Sequence, residues 1–319
     1  MIMQTASVIV QSLIQIIVLV VLAPFLQGVI KKIKARWQCR SGPGIMQSYY
    51  DLWKLLRKDE VISEHTSWLF PWYPWITIGG ILAVGLLVPV ISSTLPLGFA
   101  GDLLLVVGLL ALVRFVTALA GIEAGSAFGG MGSSREMALA VVIEPAMVLS
   151  LLVLAIETKT TNLGQMVDSF AQMGFGVVLP GNIMVFLALL VVVIAETGRI
   201  PVDNPDTHLE LTMIHEGMLL EYSGRSLGLM FLAAQIKQLV MVTVIMNLFF
   251  PWGLAADWQA GSLLGGLVLL LLKVVCFGAL LATIETAFNK IRLFRVPELL
   301  GASFVLSLLG LMSMLVFPH

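Results

Sequence analysis

Between residues 195 and 224 the chain gathers Glu196, Asp203, Asp206, Glu210, Glu216 and Glu221 with His208 and His215. Carboxylates and imidazoles at this density are the groups whose proton affinity a protein tunes most readily, so the chemistry they suggest is proton handling rather than nucleophilic attack. A zinc-protease reading fails, because Leu219 stands where the second histidine after His215-Glu216 is needed. Pro201 and Pro205 interrupt any preceding helix, which predicts a turn over Gly198 to Asn204, with Asn204 as an N-cap and Pro205 as the first helical residue. The spacing then predicts a helix from Pro205 to about Tyr222. On it Glu210 and Glu221 fall about 20° from alignment, with His208 and His215 near the opposite face.

The elements that position this stretch are hydrocarbon. The 319 residues are 59% hydrophobic and 12% charged, with a net charge of -1, which excludes an ordinary soluble domain and gives no footprint for nucleic acid. The pattern predicts an all-α, polytopic membrane protein, a single integral membrane domain over 1–319. Its eight apolar runs lie near 6–30, 76–97, 103–119, 137–156, 177–195, 227–250, 263–284 and 299–317. The fifth is the weakest, since Pro180, Gly181 and Asn182 interrupt its end. No basic region precedes the first run, which suits a retained span rather than a cleaved leader.

Lysine and arginine crowd the loops after spans one, three, five and seven, from Lys31, Arg40 and Lys54 through Arg135 and Arg199 to Lys290 and Arg295. The opposite loops hold only Lys159. The basic loops should therefore be cytoplasmic, with both termini outside. Three of them stand out: 31–74, 121–136 and the acidic 196–226. In the first, Ile45, Tyr49, Leu52 and Leu56 recur at helical spacing opposite Gln47, Asp51, Lys54 and Lys58, which predicts an amphipathic helix that anchors in the headgroup layer, docks a soluble partner, or both. In the second, Gly129, Gly130 and Gly132 suggest a shaped loop, but no phosphate-binding pattern follows them.

Several spans carry charge: Arg114, Glu144, Lys237 and Lys273, with Glu196 and Glu285 at span ends. Each costs about 2.5–3.5 kcal/mol at a helix centre on insertion scales, so they should face inward and find partners. Two readings follow. In one, Arg114 pairs with Glu123 or Glu144 and the charges only stabilise the bundle. In the other, Glu210, Glu221, Glu216 and Glu196 lead towards Glu144, Lys237 and Lys273 as a proton relay. Pro145 removes a backbone donor just after Glu144, which opens the helix there. Cys39 and Cys276 lie far apart and no CxxC occurs, so the expectation is that this chain holds no metal or redox cofactor of its own.

The run Ala195-Glu-Thr-Gly-Arg-Ile-Pro-Val-Asp203, with Glu221-Tyr-Ser-Gly224, resembles the acidic loop of the eight-span membrane subunit shared by respiratory complex I and the group 4 energy-converting [NiFe] hydrogenases. Arg40-Ser-Gly-Pro-Gly44 with Gln47, Tyr50, Asp51 and Lys54, the stretch Gly125 to Glu144, and Arg292-Leu-Phe-Arg-Val-Pro297 extend the likeness along nearly the whole chain. Complex I subunits usually have asparagine at Gly198 and phenylalanine at Val202. The version here is similar to the membrane subunit of formate hydrogenlyase and related hydrogenases.

The resemblance implies a subunit of an oxidoreductase complex in a prokaryotic cytoplasmic (inner) membrane that anchors a soluble redox module and couples electron transfer to proton or sodium movement. It implies partners: hydrogenase large and small subunits carrying the [NiFe] centre, an iron–sulfur subunit with its clusters, and antiporter-like membrane subunits. The family's acidic positions carry over to Glu144, Glu196, Asp203, Glu210 and Glu221. Position and chemistry add Glu216, Arg114, Lys237, Lys273, His208 and His215. Arg40, Gly42, Pro43, Gln47, Tyr50, Asp51, Lys54 and Arg199 are the expected docking residues. A quinone-site subunit of a complex I-type NADH dehydrogenase, and a stand-alone transporter or structural anchor, are the alternative readings.

Overall fold

The computed structural model of the chain describes residues 2–64, 66–93, 97–174, 179–204, 213–255 and 259–316. Ten α-helices follow one another: α1 (Ile2–Trp37), α2 (Gln47–Arg57), α3 (Tyr73–Leu87), α4 (Leu103–Glu123), α5 (Ala127–Thr158), α6 (Leu163–Met173), α7 (Pro180–Glu196), α8 (Gly224–Phe249), α9 (Ala260–Ala287) and α10 (Val296–Val316). Among the described residues seven segments are long and apolar enough to cross a bilayer, and α7 is a shorter apolar helix of the same kind. At 17 residues it reaches only about 26 Å, which fits the interruption read at Pro180. With α2 and α6 as short surface helices, eight spans form an all-α, multi-pass membrane protein.

Helix starts follow local chemistry. Asp102 accepts a hydrogen bond from Leu104 N at 3.3 Å, Ser126 from Gly129 N at 3.1 Å and Asn162 from Gly164 N at 3.1 Å, each replacing a partner that the first helical turn lacks. Helix α8 runs through the middle of the bundle, touching α1, α2, α3 and α7, and is the most enclosed span. Around it Leu19, Leu26, Ile81, Leu110, Ile143, Val192, Ile236, Leu239 and Phe277 form one continuous core. Helix α10 closes the far side against α7 and α5, where Ser303, Ser150 and Ser307 bond across the interface. Small hydroxyl residues let spans approach closely where hydrocarbon alone gives no preference over lipid.

The predicted amphipathic helix is present as α2. Leu52 is buried against the bundle, Tyr49 Oη donates to Val21 O, and Gly28 of α1 meets the Ile45 carbonyl so closely that a Cβ would lie 2.1 Å from its oxygen. Its outer side keeps Tyr50 and Trp53 exposed, at 68% and 57%.

Two expectations are corrected. The stretch 121–136 is not a loop: α4 runs to Glu123 and α5 begins at Ala127, leaving a connection of three residues. Its glycines serve close packing instead. A Cβ on Gly132 would stand 2.8 Å from Ile214 O, so the chain at 214–218 lies directly on α5. Nor does a helix run on to Tyr222: residues 213–222 hold only a 3₁₀ turn at Glu216–Leu219. Asp203 makes the difference, since its carboxylate accepts from Ile214 N and His215 N at 3.3 Å and folds this segment back over the bundle end. Residues 205–212, with His208 and Glu210, lie outside the described residues.

Candidate functional site

Where α4, α5, α7 and α8 converge below the 213–219 turn, the charged residues of four spans meet. Arg114 of α4 is buried; its guanidinium contacts Glu144 at 2.7 Å, Glu136 at 3.4 Å and Glu196. Lys237 of α8 reaches the other Glu196 oxygen at 2.6 Å. Glu136 and Glu196 are buried, while the Glu144 side chain is 36% exposed at the bundle surface. Arg114 thus pairs with Glu144, one of the two partners weighed from sequence, and both belong to a connected cluster that also holds Glu136, Glu196 and Lys237. Glu123 stands apart, accepting from Ser67 at the end of α4.

Arg114, Glu136, Glu196 and Lys237 line a partly open cavity of about 90 Å³, with Thr77, Thr117, Thr197 and His215 as further polar walls and Val113, Met218 and Met230 as apolar ones. A space of that size has room for several waters beside its charged groups. Charges in such a place interact far more strongly than in bulk solvent, so the protonation of one member is felt by the rest.

His215 roofs the cavity. Its Nε2 lies 3.4 Å from Glu136 and its Nδ1 lies 3.7 Å from Asp203. Gly198, at φ +60°, makes room for it: a Cβ there would meet the imidazole at 2.6 Å. Burial disfavours the imidazolium, but the Glu136 and Asp203 carboxylates outweigh it and raise the histidine's proton affinity above its usual value. Burial opposes ionisation of Asp203, yet the neighbouring His215 imidazole and the Lys290 ammonium, which donates to it at 2.7 Å, hold its pKa at about 2.

A second cluster lies on the other side of α8. Arg199 donates to Glu285 at 3.0 Å, Gln238 at 2.7 Å and Gln27 at 2.5 Å, and Lys34 contacts Glu285 at 3.2 Å. Arg199, expected to dock a partner, is therefore a buried internal tie. Above it an open groove of about 820 Å³ runs between the end of α1, the 38–43 loop, the 200–204 turn and residues 285–290, rimmed by Lys31, Lys34, Arg40 and Lys290. Arg40, Gly42 and Pro43 line it; Gln47, Tyr50, Asp51 and Lys54 project from the neighbouring α2.

Of the residues read from sequence, the structure joins Arg114, Glu144, Glu196, Asp203, Lys237 and His215. Glu216 lies half-buried on the 3₁₀ turn. Glu221 is also half-buried but has no ion pair to the cluster among the described residues. Lys273 does not belong: it donates to Asn247 at 2.9 Å, and Asn247 sits about 15 Å along α8 from Lys237. Sequence reasoning missed Glu136 and Lys290 as members. Glu136 was hidden by the loop assignment of 121–136; its usable signal was the helical phase that aligns it with Ser133 and Ala140 on the buried face of α5.

Among the described residues no group of His, Cys, Asp and Glu is arranged to hold a metal, and both cysteines are exposed on different elements.

A family model described as NADH dehydrogenase matches residues 10–316. Curated relatives include hydrogenase-4 component C of Escherichia coli (strain K12), 35% identical over 94% of this chain and 93% of that protein. Formate hydrogenlyase subunit 4 of the same organism is 33% identical over 95% and 97%. NADH-quinone oxidoreductase subunit 8 of Rhodothermus marinus is 29% identical over 79% of each chain. Among solved structures, a chain of the membrane-bound sulfane sulfur reductase, an archaeal respiratory membrane complex, shares the fold with a TM-score of 0.83 at 20% identity, over 96% of this chain and 99% of that one.

Proposed function

We propose, for a chain that belongs to the NADH dehydrogenase family, that it is the anchoring and coupling subunit of a multi-subunit, membrane-bound [NiFe] hydrogenase of formate hydrogenlyase type. The basic end of the bundle faces the cytoplasm of a prokaryotic cell, both termini lie outside, and the soluble redox module docks over the groove and α2. The [NiFe] centre and iron–sulfur clusters sit in the large, small and iron–sulfur partner subunits; neither the cysteine positions nor the described acidic groups fit such a centre here. Antiporter-like membrane subunits complete the ion path, which carries protons or sodium.

The observation that supports the coupling role best is the ion-paired cluster itself. Glu196, placed by the last turn of α7, is held at once by Arg114 of α4 and Lys237 of α8, and the same cavity is roofed by the residue next to the acidic turn. A charge change at the docking end therefore reaches mid-bundle groups through direct contacts rather than through bulk solvent. An inert anchor gains nothing from four carboxylates and three cations gathered this way, since buried ion pairs are weak sources of stability. The hydrogenase branch is favoured over a quinone-site subunit by identity over nearly the full length of both Escherichia coli relatives.

Purification of the tagged chain in mild detergent tests this. Co-purification of a nickel-binding subunit with hydrogen-evolving activity is expected. Isolation of the chain alone, or of a nickel-free complex that binds quinone analogues tightly, would overturn it.

A further inference from the structure

We propose that His215 is the proton-loading group of the buried cluster, with Nε2 as the atom that exchanges the proton and Asp203 as the positioning residue that fixes Nδ1. This rests on the coupling function above and names the residue through which the docking end sets the charge of the cavity.

The geometry is that of an imidazole between two carboxylates of unlike character. Asp203 is bonded by Lys290 and by two backbone N–H groups, so it stays ionised, and its carboxylate 3.7 Å from Nδ1 favours the neutral ring's proton on that nitrogen. That leaves Nε2 facing Glu136 and the cavity at 3.4 Å. Among the described residues neither ring nitrogen has a closer hydrogen-bond partner. In the loading step a protonated Glu136 gives its proton to Nε2, leaving a carboxylate and an imidazolium; the reverse step returns it. Only an O–H and an N–H bond exchange, and no electrons move.

Charge balance gives the step a purpose. Among the described residues the groups around the ring are Glu136 from α5, Glu196 at the end of α7, Asp203 of the turn after it, Arg114 from α4, Lys237 from α8 and, through Asp203, Lys290. With Glu144 they form four carboxylates and three cations when neither Glu136 nor His215 holds a proton, and a balanced set when either one does. The proton shared by Glu136 and His215 is therefore the one that decides whether the cluster carries net charge. Lys290 also lines the groove, so whatever docks there acts on the same proton electrostatically.

The test uses the complete complex in membrane vesicles, measuring ion translocation per hydrogen turned over against pH. His215→Gln should lose the titration limb and cut translocation by roughly a hundred-fold, the scale of a positioned acid–base group. Asp203→Asn removes an anion beside the ring and should shift the limb to lower pH; Lys290→Met unmasks that anion and should shift it to higher pH. A merely structural histidine gives no such opposed pair. An unshifted limb in both variants, or a shift in the same direction, overturns the proposal even if His215→Gln fails to assemble. Glu196→Gln separates the two levels: unaltered translocation there removes the coupling function itself, whereas altered translocation with unshifted limbs removes only the role of His215.

Discussion

Replacing Arg114 with methionine strikes the centre of the arrangement while keeping much of the side chain's volume. The guanidinium contacts Glu136, Glu144 and Glu196, and after its loss Lys237 is the only span cation left beside the three carboxylates among the described residues. Removing one partner of a buried pair costs about 3–5 kcal/mol, because the other charge is stranded away from water. Glu144 contributes little to that figure, since its side chain is 36% exposed and free to find solvent or headgroups. Glu136 and Glu196, both buried, carry the loss. Stability measured by denaturant titration of the detergent-solubilised protein should therefore fall by about 3–5 kcal/mol for Arg114→Met. The double variant Arg114→Met with Glu196→Gln should recover part of it, with a coupling of about 0.5–3 kcal/mol. A loss below about 1 kcal/mol, the scale of an exposed pair, or strict additivity in the double variant, would refute the view that the cluster is closed and mutually neutralising.

Other outcomes follow from the same contacts. Gly132→Ala should displace the 213–219 turn from α5 at a cost of about 1–3 kcal/mol, read as faster amide exchange in residues 213–222, because the new Cβ meets Ile214 O at 2.8 Å. The attachment of this turn also depends on pH in two windows. His215, with its proton affinity raised, contributes stability below about pH 6.5 that is lost as pH rises through its folded value; Asp203 contributes stability above about pH 3.9 that is lost as pH falls towards about 2. Protease cleavage within 213–222 should accordingly rise at both extremes, and a flat profile would contradict the ion-pair account. Lys273→Met should leave ion coupling intact while perturbing the α8–α9 contact through Asn247; loss of coupling would show that the outer half belongs to the same path.

The spans were legible because hydrocarbon periodicity and length are nearly sufficient to define a helix that a bilayer will accept, and even the weakness of α7 showed in Pro180 to Asn182. The amphipathic α2 was legible for the same reason, since Leu52 and its neighbours recur on one face. The acidic stretch was harder. Its turn at 198–204 followed from Pro201 and Pro205, but the segment after it is bound by tertiary contacts from Asp203 and Arg135, the latter donating to Met213 O at 3.0 Å. Helical propensity carries no information about such contacts. Arg114, Glu144, Glu196 and Lys237 could each be flagged as costly charges, yet their convergence depended on which faces of α4, α5, α7 and α8 meet. Lys273 looked equivalent in sequence and differs only in its place along the bundle.

The most direct measurement is ion translocation by the intact complex carrying Glu196→Gln, made in sealed vesicles beside hydrogen turnover with an artificial electron carrier. The account predicts that electron transfer through the soluble module persists while translocation per hydrogen falls steeply, because the anion that joins Arg114 to Lys237 is gone and the charge balance of the cluster is lost. Wild-type translocation in that variant, with the complex fully assembled, would contradict the claim that this buried cluster couples the two processes.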